Sequence, residues 1–279
     1  MTRNIILILF FFNLVGCTNL AESFKFAKKD YSNDPTNISV LEQNKDYRAL
    51  ALAYENLYNK DTTNMLYLYK SAENHRLSHN FKAAINHYNK LIENNTDLAN
   101  AYEGLILCYI EEADLTQVTN LINKIIAIDA TRWRPINATA VMFALNNHYN
   151  EAISYFDLAL NIEKNYSILN NKALTMAFNG NIKSAIPVME EAVTLIADTD
   201  LNKSKTAMNL ALIYGISGDM EKAEQTLKPY LNEAQIYNNL AIYASLVKDS
   251  EKSKQYLVKA LDANNYYEKA ERNLKIIDK

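Results

Sequence analysis

The chain has 279 residues, 49% of them apolar, with only 5 Gly and 4 Pro. So little Gly and Pro argues against a turn-rich β fold and for long helical stretches. The formal net charge of −3 gives no electrostatic footing for nucleic acid, because phosphate binding needs clustered Lys and Arg.

Met1 to Cys17 reads MTRNIILILFFFNLVGC. Arg3 supplies a positive start, and Ile5 to Phe12 is uninterrupted apolar sequence. The stretch falls short of the ~20 residues needed to cross a ~30 Å hydrocarbon core, but it fits a secretory signal peptide. Leu14-Val15-Gly16-Cys17 resembles a bacterial lipobox. That resemblance implies cleavage after residue 16 and a diacylglycerol on the Cys17 thiol. More than one acyl chain there makes a stable anchor where one is marginal. Thr18 follows the cysteine where Asp would favour retention at the inner membrane. By the same resemblance, the protein is expected at the outer membrane with its body in the periplasm. Residues 17–40 show no sustained periodicity and contain Asp34-Pro35. They read as the lipidated cysteine and a tether.

Beyond the tether the chain becomes periodic. Leu50, Ala84, Val118, Ala152 and Ala185 recur at steps of 34, 34, 34 and 33, and Ala223 and Ser253 continue at 38 and 30. A period of about 34 is the signature of tetratricopeptide (TPR) repeats, each a helix–turn–helix unit. The predicted fold is all-α, an α-solenoid or superhelix of about six repeats over residues 65–265. A half repeat at 41–64 precedes it, and a capping helix at 266–279 covers its last apolar face.

Repeat three, Trp133 to Lys164, shows the pattern. Ile136, Thr139, Ala140 and Phe143 form one stripe, Tyr149, Ala152, Phe156 and Ala159 a second, with a turn at Asn146-Asn147-His148. The small eighth position of the repeat is Ala72, Ala140, Ala173, Ala211 and Ala241, with Ile106 the exception. Gly180-Asn181, Gly218-Asp219 and Lys248-Asp249 mark further turns. The usual repeat-end Pro is missing, with Ala130 and Lys164 in its place. The 38-residue step implies a longer loop near residues 197–203, and Pro229 implies a short second helix in repeat five. Pro187 falls within the second helix of repeat four, where it removes one backbone donor.

Motifs for catalysis are missing. The sequence holds no GxSxG, Walker-type loop or GxGxxG. His75 and His79 stand four apart without the Glu of HExxH, and read as exposed polar residues at a helix end. Cys108 sits among Leu105, Ile106, Leu107 and Tyr109 and reads as a buried thiol. No enzyme activity, cofactor or metal is expected. A stacked solenoid instead offers an extended surface for a protein or peptide partner.

One row of residues suits such a partner. Asn171, Asn209 and Asn239 occupy the sixth position of the first helix in repeats four, five and six, with Asn170 and Asn238 beside two of them. A carboxamide both donates and accepts, so a row of them can pair with an extended peptide backbone. In repeats one to three the matching residues are Lys70, Gly104 and Ala138, so the row covers the C-terminal half.

The stretches NNKALTMAFNGNIKSAI (170–186), MNLALIYGISGDMEKAEQTL (208–227) and LNEAQIYNNLAIYASL (231–246) resemble the TPR lipoprotein family of the Tad (tight adherence, Flp) pilus, TadD. The lipobox ahead of the repeats and the Asn-Leu-Ala openings at 209–211 and 239–241 carry the likeness, whereas Lys172 departs from a frequent Gly. The resemblance implies an outer-membrane scaffold or pilotin in pilus biogenesis, with a secretin subunit as a partner. A type IV pilus pilotin and an adaptor for peptidoglycan enzymes share the same outline.

Overall fold

A computed structural model describes residues 38–95, 98–198 and 200–277. The lipobox, Cys17 and most of the tether lie outside the described residues. Every regular element among those described is an α-helix, and the fold is a TPR-like solenoid.

The chain forms two compact units that divide between Asn146 and Asn147. The first contains α1 (Ile38–Asn44), α2 (Tyr47–Lys60), α3 (Met65–Leu77), α4 (Phe81–Glu93), α5 (Leu98–Glu111), α6 (Leu115–Ile128) and α7 (Trp133–Leu145). The second contains α8 (Tyr149–Ile162), α9 (Tyr166–Phe178), α10 (Ile182–Thr194), α11 (Leu201–Ile216), α12 (Met220–Leu227), α13 (Glu233–Leu246), α14 (Ser250–Ala263) and α15 (Glu268–Ile277). Within each unit a helix packs on its successor, and first helices also pack on those of the next repeat: α3 on α5, α5 on α7, α9 on α11, α11 on α13. That alternation is the nearest-neighbour order of a solenoid.

First and second helices are buried differently. Second helices bury one stripe: Ala84, Tyr88 and Leu91 on α4, Ala185, Met189 and Ala192 on α10, Ser253, Leu257 and Ala260 on α14. First helices are enclosed on several faces at once. Helix α9 buries Ser167 through Asn171, Ala173 through Thr175, and Ala177; α11 buries Thr206, Ala207 and Asn209 through Gly215. A helix hydrophobic or covered nearly all round belongs inside. Its polar side chains must then find partners within the protein.

The turn inside each repeat has a fixed construction. His79, Ala113, Asn147, Gly180, Gly218 and Lys248 all have positive φ, between 57° and 95°. Around five of them the residue after the left-handed one donates its N–H five residues back, as in Asn80 to His75 (2.8 Å), Asp114 to Tyr109 (2.9 Å) and Asp219 to Tyr214 (2.9 Å). This is the Schellman closure of a helix C-terminus. In three turns that donor also caps the next helix: Asp114, Asp219 and Asp249 accept from the N–H of Gln117, Lys222 and Lys252 at 3.0–3.1 Å. One three-residue turn thus ends one helix and starts another.

Between repeats, Asp does the work of the missing Pro. Asp129 Oδ1 accepts from the N–H of Thr131 (3.1 Å) and its hydroxyl (2.6 Å), and Asp129 Oδ2 accepts from Arg132 (2.9 Å). Asp61 repeats the contact with Thr63, 68 residues earlier. These Asx turns fix the chain by hydrogen bonding instead of by a ring. The Thr131 hydroxyl, then Arg132, hold the Asp129 carboxyl down at about 2.

Helix α12 has eight residues and α11 sixteen. Helix α10 continues across Pro187 without a break. Helix α15 covers the end of the second unit, with Ala270 buried beside Ala241, Leu257 and Ala260.

Candidate functional site

Four of the five candidate asparagines, Asn170, Asn171, Asn209 and Asn238, are drawn into the interior of the second unit. Asn209 Nδ2 on α11 donates to Asn170 Oδ1 on α9 at 2.8 Å, and Asn170 Nδ2 donates to Asn171 Oδ1 at 3.1 Å. Asn170 and Asn171 are fully buried and Asn209 nearly so. Asn238 Oδ1 accepts from Asn273 of α15 at 2.9 Å. Asn239 is half-buried and turns its Nδ2 to the carbonyl of Gln235, one turn back, at 2.8 Å. The five residues therefore divide: a chain of three amides joins repeats four and five, Asn238 holds the cap, and Asn239 keeps an accessible edge. Asn171 Nδ2 and Thr206 Oγ1, both buried, find no hydrogen-bond partner. An unspent buried donor costs about 1–3 kcal/mol.

The accessible polar groups near this network are fewer. Lys172 reaches Asp157 of α8 at 2.5 Å, which ties the second helix of one repeat to the first of the next. Gln235, Asn239 and Ile242 follow each other along α13 at helical spacing on its less buried side. That edge, with an amide, a second amide and an apolar side chain, can take a backbone and one apolar group from an extended segment.

The first unit carries charge where the second carries amides. Glu103 on α5 is almost completely buried, and its carboxylate meets Arg132 at 2.7 Å, while Arg132 also reaches Asn100 and Asp129. Burial raises the Glu103 pKa, and the Arg132 hydrogen bond opposes that rise. On α3, Glu73 accepts from Arg76 at 3.0 Å and from the hydroxyl of fully buried Tyr88. Burial works against the Arg76 charge, but attraction and hydrogen bonding to Glu73 outweigh it and hold its pKa above the usual value. Each buried charge is paired, as desolvation requires. Sequence spacing does not reveal the first of these contacts, since Glu103 and Arg132 are 29 residues apart. Glu103, set inside the apolar run LANAYEGLILCYI (98–110), was the available signal.

The histidines also differ from the sequence reading. His75 is not an exposed residue at a helix end; it is 6% exposed, and its ring stands edge-on to His87 of α4, centroids 5.4 Å apart. His79 is turned away by its left-handed backbone (φ 60°) and packs on Phe81. The i, i+4 spacing fails because the helix ends between the two. Cys108 is buried, and burial pushes its thiol up to about 12. Among the described residues no group of three His, Cys, Asp or Glu side chains is placed to hold a metal ion, and no helix is long and apolar enough to cross a membrane.

The described residues form an all-helical solenoid of tetratricopeptide type, with a buried amide link between two of its repeats. Residues 234–267 match the tetratricopeptide repeat family model. No curated protein matches the chain in sequence. Among solved structures, the C-terminal part of a TPR repeat-containing protein from Cytophaga hutchinsonii is similar, with a TM-score of 0.63 at 12% identity over 85% of this chain and 98% of that one. A tetratricopeptide repeat protein from Parabacteroides merdae gives 0.59 at 13% identity, covering 87% and 96%. Pseudomonas aeruginosa pilF gives 0.52 at 13% identity, covering 76% and 97%. At these identities the likeness is one of fold.

Proposed function

We propose that this protein is a lipid-anchored TPR scaffold of the bacterial outer membrane that serves as a pilotin or assembly factor in Tad/Flp pilus biogenesis. The observation that carries the reading is the order of parts: a lipobox-like Leu-Val-Gly-Cys at residues 14–17, a stretch without periodicity, then a repeat solenoid with a polar edge on α13. The lipid fixes one end, the tether gives reach, and the solenoid holds a partner segment. Tethering raises the partner's local concentration without adding contacts. The TadD-like stretches at 170–186, 208–227 and 231–246 support the pilus assignment, and a secretin subunit is the partner they imply.

The test is affinity capture of the lipidated protein from envelope membranes. Recovery of a secretin supports the reading; recovery of cell-wall hydrolases without a secretin replaces it with the adaptor reading. Cys17→Ser should release the protein from membranes, and retention would remove the lipid anchor from the proposal.

A further inference from the structure

Three helices meet at a histidine pair in the first unit. Glu55 extends from α2, His75 from α3 and His87 from α4. The Glu55 carboxylate lies between the two rings, 3.6 Å from His75 Nε2 and 3.9 Å from His87 Nε2. Both distances exceed a hydrogen bond. His75 Nδ1 is 3.2 Å from Asn80 Nδ2 in the following turn. His75 Nε2 and His87 Nδ1 are buried and have no hydrogen-bond partner. Beside them Ser71 donates to the carbonyl of Ala51 at 3.0 Å, and Lys90 lies over the Tyr58 ring at 4.8 Å. This cluster is the polar part of the contact between α2 and the α3–α4 hairpin.

We propose that this contact is an acid-labile latch: it is closed while the His87 imidazole is neutral beside Glu55, and proton uptake there opens it. The neutral state suits the geometry. With Asn80 donating to Nδ1, His75 turns its Nε2–H toward the carboxylate. A proton added to His87 gives that ring two N–H groups. One faces Glu55, but Nδ1–H would be buried with no acceptor. The charged and titratable groups facing His87 are Glu55 on α2, His75 on α3 and Lys90 one turn along α4. Burial lowers its pKa from 6.5; Glu55 opposes this, and His75 and Lys90 add to it.

The sign follows from linkage. The closed form refuses a proton that the opened form accepts below about 6.5, so opening becomes more favourable as pH falls. For a single proton the opening constant rises at most about tenfold per pH unit. Opening separates α2 from the first full hairpin and leaves the later repeats stacked.

Hydrogen exchange on the purified full-length protein in detergent tests this between pH 7 and pH 5, after correction for intrinsic exchange chemistry. Protection of Leu50–Tyr58 should fall severalfold per pH unit, while the α9–α11 amides keep theirs. His87→Phe, and His87→Gln as a smaller neutral replacement, should flatten that dependence. The ring proton of His87 should titrate below 6.5 in the parent protein. A pH-independent α2, an unchanged slope in both variants, or a titration at or above 6.5 would overturn the latch.

Discussion

The ring of Tyr88 on α4 lies directly against the backbone of Gly104 on α5, so a methyl group at position 104 would overlap it. The ring cannot swing aside, because Tyr88 is fully buried and its hydroxyl is committed to Glu73. Gly215 and Tyr243 repeat the relationship in the second unit, where an added Cβ would sit 2.5 Å from the ring. Gly104→Ala should therefore destabilise the first unit by about 1–3 kcal/mol, the usual range for overpacking. A urea midpoint equal to that of the parent would contradict this packing.

Ala113 holds φ 57° in the turn between α5 and α6. A left-handed backbone costs a residue with a Cβ roughly 1 kcal/mol or more. Ala113→Gly should raise stability by up to about 1 kcal/mol, less what glycine loses through its freer unfolded chain. Gly180→Ala, at φ 87° with open space around it, should lower stability by a similar amount. Thermal melts of the two variants should move in opposite directions.

Arg132→Met leaves the buried Glu103 carboxylate without its cation. Breaking such a pair from one side typically costs about 3–5 kcal/mol. The loss should shrink in acid. Burial already raises the Glu103 pKa, and removing Arg132 raises it further. A raised carboxyl contributes stability that is present below the unfolded value and lost as pH rises through the folded one. The variant should therefore lie closer to the parent at pH 4 than at pH 7, and denaturant titrations at both pH values decide it.

Asn209 and Asn239 should separate structure from binding. Asn209→Ala strands the Asn170 acceptor and should cost about 1–3 kcal/mol of stability. Asn239→Ala breaks only a local bond on a half-buried edge and should leave stability within about 0.5 kcal/mol. Partner capture should fall with Asn239→Ala while its melting curve stays put. Full capture by that variant would move the binding edge elsewhere.

The Cys108 thiol, pushed up to about 12 by burial, should resist alkylation at pH 8 in the folded protein and react on unfolding. Its raised pKa also favours the folded state less as pH climbs past the unfolded thiol's value of about 8.5. Cys108→Ala should remove that part of the alkaline destabilisation, seen as a shallower fall in stability between pH 8 and pH 10.

The fold was legible because each repeat places a small or medium residue at a step near 34: Ala84, Val118, Ala152, Ala185, Ala223 and Ser253 are all fully buried. The turns were legible where Gly occupied them and harder to see at His79 and Ala113, which adopt the same conformation. The asparagine row was visible as spacing, but spacing does not tell how much protein covers a face. With α9 and α11 enclosed on several sides, Asn170, Asn171 and Asn209 turn to one another. The Glu103–Arg132 and His75–His87 contacts cross between elements, and no rule of helical periodicity reaches them.

The long α11 and short α12 have a consequence of their own. From the turn at Gly180 to that at Gly218 is four residues more than 34, and from there to Lys248 is four fewer. The two departures cancel, so Lys248 falls 68 residues after Gly180, where two regular repeats would put it. They behave like an interstitial and a vacancy bound together in a crystal: the lattice is disturbed locally and resumes its register beyond. Deleting four residues from the segment before α11, or restoring four to α12, would unbind the pair and displace every later helix by about one turn. Only a paired change at both places leaves the last repeat and its cap in phase.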